Sequence, residues 1–468
     1  MAMGKRRERQ ESLWIATAEL PVAQGHVFYE KVNTLLTERK FDAFAEQECS
    51  RFYKSVVMGR PSLAPGVYFR MLMVGYFEGI DSERGIAWRC ADSLSLKSFL
   101  GYGWTDSAPD HSTISRTRRL VDLETHGRVF TWILKLLAGE GLVDGKTIGV
   151  DGTTLEANAA LRSIVRRDTG EGYQEFLTKL AQASGIETPT PEDLTKLDRK
   201  RKKKGSNQDW ENPHDPDAKI TKMKDGQTHL AHKAEHAVDL KTGAILAVTL
   251  QDANAGDTTT IQETLIRTAV QLETLVKDPG VAASIHKSYL TEVVTDKGYH
   301  SNDRLLDLKE LGIRTYFSEP KRGKRNWKNK TKERDAVYAN RRRIQGEHGK
   351  ALLRRRGEFV ERTFAHCYET GGMRRLHLRG RGNILKRLLV HVAGFNLSLV
   401  LRKQLGKGTP RGLQVAIIAH YFAIIELLDA LKGQHEPVVI LSAHLVTKFH
   451  VGLRVGHFAN NGTISTGC

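Results

Sequence analysis

Apolar positions along this chain recur with two different periods, and the change falls near residue 143. Before it, spacings of three and four dominate, as on one face of a helix. "FYEKVNTLLTERKFDAFAEQECSRFY" shows this mixed spacing, and "GRPSLAPGVYFRMLMVGYFEG" follows with a proline-punctuated start. "SAPDHSTISRTRRLVDLETHGRVFTWILKLLAGEGL" offers Ser, Thr and Asp caps before a long helical pattern that stops near Gly139 or Gly141. After 143, "KTIGVDGTTLEAN" predicts a strand from Thr147 to Val150, ending on Asp151 with Gly152 next. "HLAHKAEHAVDLKTGAILAVTLQ" predicts a hairpin around the turn "DLKTG". An amphipathic helix is predicted over 258–276, a strand over 290–295 ending on Asp296, a helix over 302–312 and a strand over 314–319. A basic loop, "KRGKRNWKNKTKER", occupies 321–334, and helix is predicted over most of 335–370.

This order predicts an α/β class: a mixed-sheet core behind an N-terminal all-helical domain. Three antiparallel strands followed by parallel crossover strands is the order of a ribonuclease H-like core. The boundaries are a basic tail (1–27), a helical DNA-binding domain (28–140), the core (141–402) and a C-terminal extension (403–468). Residues 160–227, rich in Lys, Asp and Pro, read as a basic insertion after the first core strand: a helical segment plus a flexible loop.

Composition narrows the partner. The formal charge is +18, from 72 Lys+Arg against 54 Asp+Glu. Such an excess suits a polyanion, most simply nucleic acid, because neutralising phosphates releases counterions. Four cysteines without a CxxC pair support neither a zinc ribbon nor a disulfide framework, and a reducing cytoplasm fits. The apolar stretch 412–433 carries His420, Glu426 and Asp429, so it reads as a buried or partner-facing helix, not a membrane span.

Two basic segments are candidates for DNA contact. In "HSTISRTRR", Arg116 and Arg118 read equally as phosphate ligands or as a solvated face. In the loop 321–334, Arg322, Lys324 and Arg325 are placed on phosphates, with Trp327 able to stack on an exposed base. His229, His232 and His236 lie on a strand, where 229 and 232 point to opposite faces, so a zinc group is not supported. His232 or His236 is expected at the site edge, within reach of DNA.

Two strands that each end on a carboxylate carry the chemistry. If they are neighbours, Asp151 and Asp296 converge at one sheet edge and repel each other unless a cation neutralises them. Mg²⁺ or Mn²⁺, hard ions that take carboxylate oxygen, suit that position. A pair of such ions stabilises both oxygens of a phosphoryl displacement. A third acid is expected from a helix packed beside them. Glu361 is preferred because Val360 and Phe364 flank it; Glu358, one turn earlier, is its rival.

"GVDGTTLEANA", "VVTDKGYHSND" and "GEFVERTFAH…GGMRRLHLRG" resemble the three acidic blocks of bacterial insertion-sequence DDE transposases. Residues 59–101 resemble their N-terminal helical domain, and the likeness covers roughly 28–402. The resemblance implies a metal-binding catalytic triad of Asp151, Asp296 and Glu361, with Mg²⁺ or Mn²⁺ as cofactor. It implies DNA hydrolysis at element ends and strand transfer into target DNA. It places Tyr299 near the DNA backbone. Many relatives carry Tyr, Arg and Lys around the glutamate, where this chain has Arg354, Gly357 and Tyr368. The cluster Arg354, Arg355 and Arg356 is expected to position phosphates instead. The partners implied are double-stranded DNA with terminal inverted repeats and a second copy of the chain, in a bacterial nucleoid and away from membranes. The alternatives are a DNA-binding protein with a vestigial core and a ribonuclease H-like nuclease without strand transfer.

Overall fold

The computed structural model describes residues 26–53, 62–103, 105–201, 205–223, 226–321, 323 and 325–431. Arg322, Lys324, nearly all of the basic tail and the extension beyond 431 lie outside these residues.

Local capping chemistry starts the helices of the first 140 residues. They are α1 (Val27–Glu38), α2 (Phe41–Cys49), α3 (Pro65–Glu78), α4 (Glu83–Asp92), α5 (Leu94–Phe99), α6 (His111–Leu120) and α7 (Leu123–Gly139). Ser82, Ser93, Asp110 and Asp122 each accept a backbone N–H in the first turn of the helix they precede, satisfying donors the helix cannot. Pro65 opens α3, and Gly79, at φ 69°, closes it in the left-handed region. From Tyr68 to Phe77 every residue of α3 is buried, so α3 is the central helix of this layer.

The sheet begins with β1 (Thr147–Glu156). The insertion follows, with β2 (Val165–Arg166), α8 (Tyr173–Ala183), α9 (Pro191–Lys200), β3 (Trp210–Glu211) and β4 (Lys219–Lys222). Next come β5 (Thr228–Asp239), β6 (Ile245–Asp252), α10 (Asp257–Val276), β7 (Glu292–Thr295), α11 (Asn302–Glu310) and β8 (Arg314–Phe317). The strand order is β8-β7-β1-β5, with β6 and β4 both on the far edge of β5. β1, β7 and β8 are parallel, and β5 runs antiparallel to β1, β4 and β6. Two expectations are corrected. β1 does not end at Asp151: β5 pairs with it from Ile148 to Glu156, so Asp151 and Gly152 lie mid-strand and form no turn. Much of the insertion is also ordered. Trp210 takes the edges of Tyr173 and Phe176 and packs with Ala157, Ile164, Ala218 and Leu230 into a small core.

Helices cover both sheet faces. α10 lies on one, where Thr264 of α10 bonds Glu235 of β5. On the other lies α13 (Glu347–Phe364), preceded by α12 (Thr331–Gln345) and followed by a π turn over Ala365–Thr370. Buried Asn340 of α12 accepts the Phe317 N–H and donates to the Phe317 carbonyl, both at 2.9 Å. This clasp holds the end of β8 beside the basic loop. Asn340→Ala should cost about 2–3 kcal/mol by leaving both backbone groups unpaired, read as a shift of the urea midpoint at constant slope.

α14 (Arg381–Leu405) is long and apolar enough to cross a membrane, but Ile384, Leu388 and Val392 are fully buried in the fold, so it is a core helix. Its buried Arg387 donates to the Leu72 carbonyl of α3 at 2.7 Å. The described residues through Val400 form one compact unit, and those from Leu401 form a second, which contains α15 (Pro410–Leu431). α15 exposes Val415, Ile418, Tyr421 and Ile424.

Candidate active site

Parallel register brings two acids together. Thr147, Ile148 and Gly149 of β1 pair with Glu292, Val293 and Val294 of β7. Two residues further along each strand stand Asp151 and Asp296. Both share the parity of Gly149 and Val294, so both face α13. Asp296 ends its strand and caps the single turn Lys297–Tyr299. Each Oδ1 accepts a glycine amide: Gly152 N–H at 2.8 Å for Asp151, Gly298 N–H at 2.9 Å for Asp296.

From α13, Arg356 donates through Nη1 to Asp151 Oδ2 at 2.6 Å. Burial pushes the Asp151 carboxyl above the usual carboxylate range; Arg356 pulls it down and Asp296 pushes it up. Two neighbouring carboxylates are therefore matched by one guanidinium, which of the two bonds only Asp151. An oxygen-only donor pair with surplus negative charge fits a hard divalent cation. Among the described residues, no three His, Cys, Asp or Glu side chains converge in a metal-holding group. The Asp pair is assembled; the third acid is not beside it.

Both glutamate candidates point away from the sheet. Glu361 is exposed, while Val360 and Phe364 on either side are buried, so these neighbours do not press it onto the sheet as expected. Glu358 is exposed and paired with Arg362 at 2.5 Å. The α13 side chains that reach the sheet near Asp151 are Arg356 and Thr363. Thr363 bonds the ring of His236, the cross-strand partner of Asp151.

Several expected DNA contacts are overturned by burial. Tyr299 is fully buried, and its hydroxyl donates to Glu235 at 2.7 Å. Arg118 is buried against Glu83 at 2.6 Å, leaving Arg116 as the exposed arginine of the α6 pair. His232 is buried against Asp215. His236 is buried between Thr363 and Tyr368, and desolvation lowers its pKa to about 3, so it is neutral at working pH. In the basic loop, Arg325 bonds Glu319 at 2.6 Å and Asn302 at 3.2 Å, and lies over the half-buried Trp327. Asn302 opens α11 just after the Asp296 turn, so this part of the loop is beside the site. Arg354 and Arg355 are exposed on α13.

Sequence reasoning missed what lies behind the Asp pair. On the α10 face, Lys233 of β5 donates to Asp257 at 2.5 Å and to Thr260 at 2.9 Å. Next to it, Glu235 is fully buried and accepts hydroxyl bonds from Thr260, Thr264 and Tyr299. Its carboxyl is pushed up by burial, against those donors. Strand alternation puts Lys233 and Glu235 on one face of β5, but only the crossover through α10 brings Asp257 to Lys233.

A family model described as a transposase DDE domain matches residues 142–397, the whole of the sheet with α13 and most of α14. One described as a transposase domain (DUF772) matches residues 18–120, across α1 to α6. No curated protein and no solved structure matches. More than half of the chain lies within the first model, and the second covers the helical layer that precedes it. The chain therefore belongs to the insertion-sequence DDE transposases, DNA-acting enzymes of transposition.

Proposed function

We propose that this transposase hydrolyses phosphodiester bonds at the ends of its element and joins the freed 3′ ends to target DNA at the same site. The cation-binding carboxylates are Asp151, Asp296 and Glu361. The observation that carries this reading is the register-matched pair of aspartates on neighbouring parallel strands. The strand order supports a ribonuclease H-like core, with antiparallel β6, β5 and β1 continued by parallel β7 and β8. Bound Mg²⁺ or Mn²⁺ would supply Lewis acidity to the phosphate and its attacking oxygen.

The chain's own groups bind and orient. Arg356 balances the Asp151 charge, and its guanidinium beside that carboxylate is the group assigned to meet the scissile phosphate. Arg354 and Arg355 on the same helix, and Arg322, Lys324 and Arg325 in the loop, hold flanking phosphates. Trp327, packed against Arg325, offers a ring to an unpaired base. Exposed Arg116 gives the helical layer a phosphate contact for end binding. Two copies act together on paired ends.

The deciding experiment is cleavage of DNA carrying the inverted repeats that flank the coding region, with and without Mg²⁺. Divalent-dependent nicking at the repeat ends is expected; full activity after exhaustive chelation would sink the mechanism. One rival has an observation of its own. Arg356 on Asp151 and the outward Glu361 favour an inactive core that binds DNA without cutting. That rival predicts end binding with no cleavage at any divalent concentration.

A thermal test is independent of DNA. Mn²⁺ at a hundredfold excess over its dissociation constant should stabilise the protein by about 2.7 kcal/mol. Asp296→Asn should abolish that gain. An equal gain in the variant would place the ion elsewhere.

A further inference from the structure

We propose that the Lys233–Asp257 ion pair positions both cation-binding aspartates, each through the glycine that follows it. The proposal rests on reading Asp151 and Asp296 as cation ligands.

The two glycines carry the argument. Neither Gly152 nor Gly298 has a positive φ, so neither is required by its backbone. Both are required by space. A Cβ on Gly152 would stand 2.8 Å from Lys233 Cε and 3.3 Å from the Tyr299 hydroxyl. A Cβ on Gly298 would stand 2.3 Å from Asp257 Oδ2. One ion pair thus has one glycine packed on its lysine and the other on its aspartate. The amide of each glycine is the donor to Oδ1 of its aspartate. Moving either end of the pair moves an amide, and the amide sets the carboxylate rotamer.

The ion pair is itself held firmly. Lys233 is 5% exposed and donates to Asp257 and Thr260, with Glu235 at 3.9 Å. Tyr299, which closes the Asp296 turn, donates to that same Glu235. The cluster therefore ties β5, the Asp296 turn and the start of α10 together on the face opposite the carboxylates. With Lys233 buried and the Asp257 side chain 38% exposed, the pair is a poor source of stability, because desolvation and solvent screening offset the attraction. Its use here is to fix position, as outer groups do around metal ligands.

The test is Mn²⁺ titration of the full-length protein, followed by electron paramagnetic resonance, beside metal-free thermal denaturation. Gly298→Ala should bind Mn²⁺ about 10–100-fold more weakly. In the double variant Gly298→Ala/Asp257→Ala the methyl has room, so its affinity should equal that of Asp257→Ala alone; independent effects would multiply instead. Lys233→Met adds no volume and should weaken Mn²⁺ binding about tenfold. A merely structural pair would shift the denaturation midpoint and leave Mn²⁺ affinity at the wild-type value. Wild-type affinity in Lys233→Met, or multiplying effects in the double variant, overturns the proposal. If Gly298→Ala does not fold, Lys233→Met decides. Asp151→Asn and Asp296→Asn are titrated alongside. If they bind Mn²⁺ normally, the cation reading fails and this proposal fails with it. If they lose Mn²⁺ while Lys233→Met keeps it, only the positioning role fails.

Discussion

Asp151→Asn and Asp296→Asn each lower DNA cleavage by at least about a thousandfold, the several kcal/mol that a lost cation contact costs the transition state. End binding should change by less than about twofold, because the proposed phosphate contacts are arginines and lysines elsewhere. Asparagine keeps the shape of aspartate and its Oδ1, so the glycine amides at 2.8 and 2.9 Å retain an acceptor. What goes is the charge. The two variants then part company in stability. Asp151 is the partner of Arg356, and their side chains are only 20% and 12% exposed. Removing that carboxylate leaves a largely desolvated guanidinium, at a cost of roughly 2–3 kcal/mol. Asp296 has no ion pair among the described residues, so Asp296→Asn should unfold with the wild-type midpoint. Single-turnover cleavage beside mobility shifts and urea unfolding gives all three readings. A rate above one tenth of wild type in either variant would remove that residue from the site.

The pairing of Asp151 with Asp296 was legible only as a condition, that the two strands leading to them be neighbours; the crossover through α10 joins β6 to β7, and it is the sheet order that sets β7 beside β1. Their glycines were harder to interpret. Asp-Gly and Asp-Lys-Gly read as turn chemistry, which placed the end of β1 at Asp151. The strand continues because Gly152 makes room for Lys233, and Lys233 meets Asp257 only once β5 and α10 are both in place. No period along the chain reports such a contact. Charge misled in the same way. Arg118 sits in a basic segment, but it faces Glu83 from another element and is buried by it; Tyr299, which the resemblance placed near DNA, is likewise buried against Glu235. Arg356 was read as one of three phosphate contacts, whereas its first partner here is an aspartate. A side chain's sign is visible in sequence; what neutralises it is set by the fold.

Glu361→Gln is expected to abolish cleavage to the same extent as the aspartate variants, and Glu358→Gln to keep it within about threefold. Along α13, Arg356 reaches Asp151 and Thr363 reaches the cross-strand partner of Asp151, so both glutamates lie at the height of the Asp pair. They differ in azimuth and in commitments. At about 100° per residue, Glu361 is about 60° from buried Phe364, while Glu358 is about 120° from it. The proposed third role requires the helix end to turn Glu361 by about 60° toward the sheet edge, and the π turn over Ala365–Thr370 directly after it is a place where helices change their winding. Glu358 is held by Arg362, whereas Glu361 has no ion pair among the described residues. Glu361→Gln therefore removes no structural contact, and its unfolding midpoint should match wild type, so lost activity reports on chemistry alone. The cation reports on it as well: Glu361→Gln should weaken Mn²⁺ binding in the presence of end DNA, with helix rotation bringing the acid in only on the bound substrate. Loss of cleavage in Glu358→Gln with retention in Glu361→Gln would transfer the third role to Glu358. Retention in both would mean that the two aspartates carry the cation without a glutamate.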